Sequence, residues 1–115
     1  MSQETTSEPL AETPLDSLTR DLFEPHLGST FEVVFEDDSR HPLELAEVRD
    51  VFAGGDREAK RQAFALGFFG AAGQYVRQGT YLFSHPQLGR LGFFIVPLGP
   101  EPRQGGRMRY EAIFT

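Results

Sequence analysis

Residues Gly79 to Leu98 read GTYLFSHPQLGRLGFFIVPL. Gly79 to Phe83 is a β-rich run, and His85-Pro86-Gln87-Leu88-Gly89 follows it. Pro fixes φ and Gly tolerates positive φ, so the chain reverses there and returns as a second strand. That return, Leu91 to Leu98, is apolar on both parities: Phe93 and Ile95 fall on one side, Phe94 and Val96 on the other. The stretch is a hairpin whose second strand asks for cover on both faces.

Upstream, Phe31, Val33 and Phe35 alternate with Glu32, Val34 and Glu36, the period of a strand with one buried face. Asp37-Asp38-Ser39-Arg40 supplies turn chemistry. Pro42 then opens a strand with Leu43 and Leu45 on one side, giving a second hairpin. Val48 falls on the opposite parity, which predicts a bulge near Ala46 or Glu47. Ahead of these strands, TRDLFEPHL (19–27) spaces Leu22, Phe23 and Leu27 for a short helix, with Thr19 at its N-cap and Gly28 as its stop. Pro25 limits that helix to a turn or two.

Ala53-Gly54-Gly55-Asp56 breaks the pattern, and residues 57–62, REAKRQ, form a charged, solvated connection. Alternation returns at Phe64, Leu66 and Phe68, with Gly67 serving curvature or close packing and Gly70 and Gly73 serving a turn. After Val96, Pro97 is expected to end ladder pairing at an edge, and GPEPRQGG (99–106) to form a flexible tip. A last strand places Met108, Tyr110, Ala112 and Phe114 against Arg109, Glu111 and Ile113. Six hairpin-linked, Phe-rich strands and one short N-terminal helix predict a mainly β fold: a single small antiparallel barrel or a sandwich.

The chain has 115 residues, 39% of them hydrophobic, with 11 Phe, no Cys and no Trp, enough for one packed domain. Residues 1–17 hold four acids, no base and two Pro, the composition of a disordered acidic tail; the β domain is expected over 18–115. The absence of Cys removes disulfide frameworks, thiol nucleophiles and Cys-ligated metals. Glu4 and Glu8 stand where a secretion signal carries bases, and no apolar segment reaches membrane-spanning length. The expectation is a cytoplasmic protein, or part of an assembly released without a signal peptide, with no membrane contact.

The net charge of −6 conceals a division: residues 1–56 sum to −11 and residues 57–115 to +5. Acidic and basic strands lying side by side in one sheet account for this more simply than two opposed docking surfaces. Arg77, Arg90, Arg103, Arg107 and Arg109 could face nucleic acid, but the acidic balance argues against it and none is expected as a partner.

No catalytic chemistry emerges. His26, His41 and His85 lack metal-ligand spacing and read as turn or surface residues. Ser84 and His85 are adjacent and so face opposite sides of a strand. Glu36-Asp37-Asp38-Ser39 lacks the alternation of a calcium loop. The cluster Gly67 to Gly73 matches no phosphate-binding pattern. No metal or other cofactor is expected.

QGTYLFSHPQLGRLGFFIVPLG, followed by MRYEAIF, resembles the signature of an uncharacterised family of small bacterial domains sharing Q-G-T-Y, H-P-x-L-G, V-P-x-G and Y-E-A-x-F over about residues 18–115. Phe68-Phe69-Gly70-Ala71-Ala72 departs from the polar or Arg-containing turn of such proteins. The resemblance implies no activity; it implies an accessory role beside phage-tail-like collar or fibre proteins. Motifs built of turn residues and aromatics describe how a fold is made, which favours a non-enzymatic structural or protein-interaction module. Its partner would be another protein or a second copy, contacted through Phe69, Phe94, Val96, Arg90 and Arg109. The alternative is a small hydrolytic or ligand-binding barrel with His85, Arg90, Tyr81 and nearby acids lining one mouth.

Overall fold

A computed structural model describes residues 17–51 and 63–114. The predicted 57–62 connection and all of the predicted 1–17 tail but Ser17 lie outside them. A short helix α1 (Arg20–Phe23) runs into a 3₁₀ turn, Glu24–His26. Strands β1 (Thr30–Val34), β2 (Arg40–Asp50), β3 (Phe64–Gly70), β4 (Gly79–His85), β5 (Gly89–Glu101) and β6 (Arg107–Phe114) follow. They close into an antiparallel barrel in the order β1-β2-β3-β6-β5-β4. The choice between barrel and sandwich is thereby settled, and closure leaves no free edge.

Closure explains how the Phe content is used. Phe31, Phe64, Phe68, Phe83, Phe93 and Phe114 all point inward and are almost completely buried. Phe83 and Phe93 stack with centroids 4.0 Å apart, as do Phe64 and Phe114 at 4.6 Å. From α1, Phe23 enters one end of the barrel and packs against Phe31, Phe64, Phe93 and Phe114 at about 6 Å. Each such burial contributes about 1.5–3 kcal/mol relative to exposure. The helix is short because Pro25 converts its continuation into the 3₁₀ turn. Thr19 occupies the N-cap position without a side-chain capping bond, and Gly28, at φ 88°, turns the chain into β1.

The β2–β3 register shifts between Leu45 and Glu47, so the bulge falls where the parity change of Val48 places it. It lets Leu43 and Leu45 before it, and Val48 after it, all pack on the core.

Three local expectations need correcting. Pro97 marks the end of pairing on one side only: the β4 ladder stops at Ile95, but toward β6 Pro97 stands opposite Tyr110, and that ladder resumes after an irregularity at Leu98 with Gly99 against Arg109. The β4–β5 ladder has already stopped at Gly79–Ile95, so at Pro97 the strand is paired on its β6 side only, a setting that tolerates a residue without an N–H. GPEPRQGG is accordingly no flexible tip: Gly99–Glu101 complete β5, Pro102–Gln104 form a 3₁₀ turn, and Glu101 accepts a bond from the Arg103 N–H. Gly70 is not a turn residue but the buried end of β3. A Cβ there would stand 2.8 Å from Leu43 Cδ2 and 3.1 Å from Tyr110 Cε2.

Candidate functional site

Every strand divides the molecule into a filled interior and an outer surface, so any site must be built on the outside or at the ends. The interior holds the Phe cluster with Leu43, Leu45, Leu66, Leu91 and Ile95. A ligand inside the barrel would have to displace it.

His85 shows what the helical end is made of. It ends β4 on the inward parity and is only 3% exposed, so it is neither a turn nor a surface histidine. The fold brings it to His26, ring centroids 4.7 Å apart, and to Ser29, whose Oγ lies 3.0 Å from Nε2. The pair looks like a nucleophile and its base, but the hydrogen bonds run the wrong way. Nδ1 accepts from the backbone N–H groups of Gln87 and Leu88, which places the ring proton on Nε2. Nε2 therefore donates to Ser29 Oγ, and that hydroxyl donates to the His26 carbonyl. A base would need a bare Nε2. Desolvation, with the neighbouring His26 second, holds the His85 pKa below its ordinary value. The arrangement staples the β4–β5 turn to the segment entering β1. Sequence spacing gave no sign of it, since Ser29 and His85 meet only through barrel closure. Among the described residues no three potential metal ligands cluster.

Ion pairs on the outer surface bridge the charge division only in part. Glu32 pairs with Arg40 at 3.0 Å, and Glu44 with Arg107 at 2.5 Å. Glu47, Gly67 and Glu111 stand in register on β2, β3 and β6, and Arg49 contacts both carboxylates. Gly67 makes this possible: a Cβ there would meet Glu47 Cβ at 3.2 Å. Exposed pairs of this kind are worth about 0–1 kcal/mol each. Of these pairs, Glu44–Arg107 alone joins an acid of residues 1–56 to a base of residues 57–115, and β3 lies between β2 and β6, so acidic and basic strands do not lie side by side but reach each other across an uncharged strand.

The five proposed contact residues separate into three places. Phe94 and Val96 lie on the outer face of β5, and Phe94 is 47% exposed. Val96 pairs with Glu111, and the next outward residue of β6 in the Phe94 direction is Ile113, 56% exposed. Leu98, also half exposed, lies at the strand irregularity, so β5 and β6 together carry an outward apolar band. Phe69 is on β3, two strands from β5, and Arg107 lies over its ring at 4.8 Å from the centroid. It shares a groove of about 540 Å³ with Glu47, Glu101, Arg103 and Arg109. Phe69 and Arg109 are thus together, cross-strand neighbours on β3 and β6, but apart from the band.

Arg90 belongs to a third feature, an open groove of about 940 Å³ beside the β1–β2 hairpin. Glu36, Asp37 and Asp38 line it with Phe35, His41, Tyr75, Thr80 and Tyr81. Phe35 packs edge-on against His41 at 4.9 Å and Tyr81 at 5.6 Å. Tyr81 Oη donates to the Arg77 carbonyl at 2.7 Å, which fixes its ring. Asp37 accepts from Ser39 Oγ at 2.6 Å and from the Ser39 N–H at 3.0 Å, and these bonds hold its carboxyl below the usual pKa. The mouth foreseen for a ligand-binding barrel is assembled except for its histidine: Tyr81, Arg90 and the acids Glu36, Asp37 and Asp38 share a groove, but His85, beside Ser84 opposite Arg90, faces inward.

No described helix is long and apolar enough to cross a membrane. No curated protein and no solved structure matches the chain. Residues 18–114 match the family described as Domain of unknown function (DUF6916), and the chain belongs to it.

Proposed function

We propose that this domain is a non-enzymatic structural module that assembles through the outer face of β5 and β6. The observation that carries this reading is the outward row Phe94, Val96, Leu98 and Ile113 on a barrel whose interior is already filled. An apolar row at the centre of a patch is complementary to itself, so a two-fold pair of chains is the simplest way to cover it. The inward, reversed Ser29–His85 pair supports the absence of catalysis. The resemblance to accessory proteins of phage-tail-like collars or fibres supports a place in a larger assembly.

Absolute mass by light scattering across a concentration series tests the assignment. The wild-type chain is expected to rise above monomer mass, and Phe94→Glu to stay monomeric with unchanged circular dichroism. A wild-type monomer at every concentration, or unchanged assembly in Phe94→Glu, overturns it. A chain beginning at Asp16, run beside them, separates any contribution of residues 1–15.

A further inference from the structure

We propose that the groove beside the β1–β2 hairpin is a binding site for a neutral, polyhydroxylated ligand of the pyranose oligosaccharide class. Its volume of about 940 Å³ lies at the upper end of the roughly 300–1,000 Å³ of ligand sites. Tyr75, 62% exposed on the β3–β4 connection, and Tyr81, held by Phe35 and by its bond to Arg77, supply aromatic surface. Aromatic surface of that kind suits the apolar C–H face of a sugar ring.

The charges select the ligand further. Glu36, Asp38 and Arg90 line one groove, and none of the three makes an ion pair among the described residues. Three carboxylates repel a simple anion, and a simple cation would leave the Arg90 N–H donors unused. A neutral polyol uses both signs: its hydroxyls donate to Glu36 and Asp38 and accept from Arg90 and the Thr80 hydroxyl. Asp37 already spends one oxygen on Ser39, which keeps the hairpin rim in place.

The chain has no Trp and three Tyr. Two of these line the groove, so tyrosine fluorescence reports on it directly. Hexamers of β-1,4-glucose, α-1,4-glucose and β-1,4-N-acetylglucosamine serve as probes. At least one is expected to give a saturable change with Kd of about 1 mM or tighter. Tyr75→Ala and Asp38→Asn are each expected to weaken it about tenfold, read by calorimetry, with Arg103→Ala in the other groove leaving it unchanged. No saturation by any hexamer at about 10 mM overturns the proposal. So does binding that Tyr75→Ala leaves intact, or displacement of the bound hexamer by arginine methyl ester, which would mark a cation site. Phe94 does not line this groove but stands opposite Thr80, which does, so the hexamers are also titrated into the Phe94→Glu chain: saturable binding there with assembly lost, or assembly in the wild type without saturation, separates this proposal from the β5–β6 assembly.

Discussion

Gly70 and Tyr110 show how much a single position carries. With Leu43 and Tyr110 within about 3 Å of where a Cβ would go, Gly70→Ala forces a buried ring or the β2 side chain to move. Overpacking of this kind costs about 1–3 kcal/mol, to be read as a lower urea midpoint with an unchanged m-value. Tyr110 Oη accepts from the Val76 N–H at 3.0 Å and donates to the Gln74 carbonyl at 3.3 Å, and burial raises its pKa. That hydroxyl is the tether by which the β3–β4 connection is tied to the core. Tyr110→Phe keeps the ring but strands a buried N–H, a loss of about 1–3 kcal/mol. Faster amide exchange confined to residues near Val76 would identify the tether; exchange rising evenly through the barrel would contradict it. The alternation of β6 marked Tyr110 as a core residue, but its hydroxyl partners lie in a connection, residues 71–78, with no periodicity, so this second duty was not legible.

At the scale of elements, what could be read was whatever depends on neighbours in sequence. The two hairpins, the β2 bulge and the inward faces of β1, β3 and β6 follow from period-two alternation and turn chemistry. What could not be read depends on closure. Pro97 reads as the end of all pairing because an isolated strand cannot show that β6 takes over as partner where β4 stops, and pairs both before and after the proline. His85 reads as a turn residue because Ser29 and His26 come from the other end of the chain, and the five contact residues scatter because β6 inserts between β3 and β5. The bulge gives a direct test of register. Deleting Ala46 removes the extra residue and turns either Leu43 and Leu45 or Val48 away from the core. The expected loss is about 2–4 kcal/mol, measured by urea unfolding. Ala46→Ser, which keeps the residue count, is expected to change stability by less than about 0.5 kcal/mol.

For the molecule as a whole, stability rests on closing one end of the barrel with α1 and the His85 staple, and both halves of that closure respond to a measurable variable. Phe23 touches four other rings, so Phe23→Ala leaves a cavity at the centre of the plug and is expected to cost about 3–5 kcal/mol. The staple responds to pH. His85 is held neutral, its pKa below the ordinary 6.5 through desolvation and then through His26. The unfolded chain therefore binds a proton at higher pH than the folded chain does. In that window the unfolded state holds more protons, so stability rises with pH: the contribution is complete above about 6.5 and is lost as pH falls toward the depressed folded value. Protonation also removes the Nδ1 acceptor that holds the Gln87 and Leu88 N–H groups, so the β4–β5 turn loosens in the same step. Urea midpoints measured between pH 5 and pH 8 should fall on the acid side for the wild type. His85→Gln, less stable at neutral pH, should show a flatter profile over the same window. An equal slope in both proteins would place the acid sensitivity elsewhere and would reduce His85 to a packing residue.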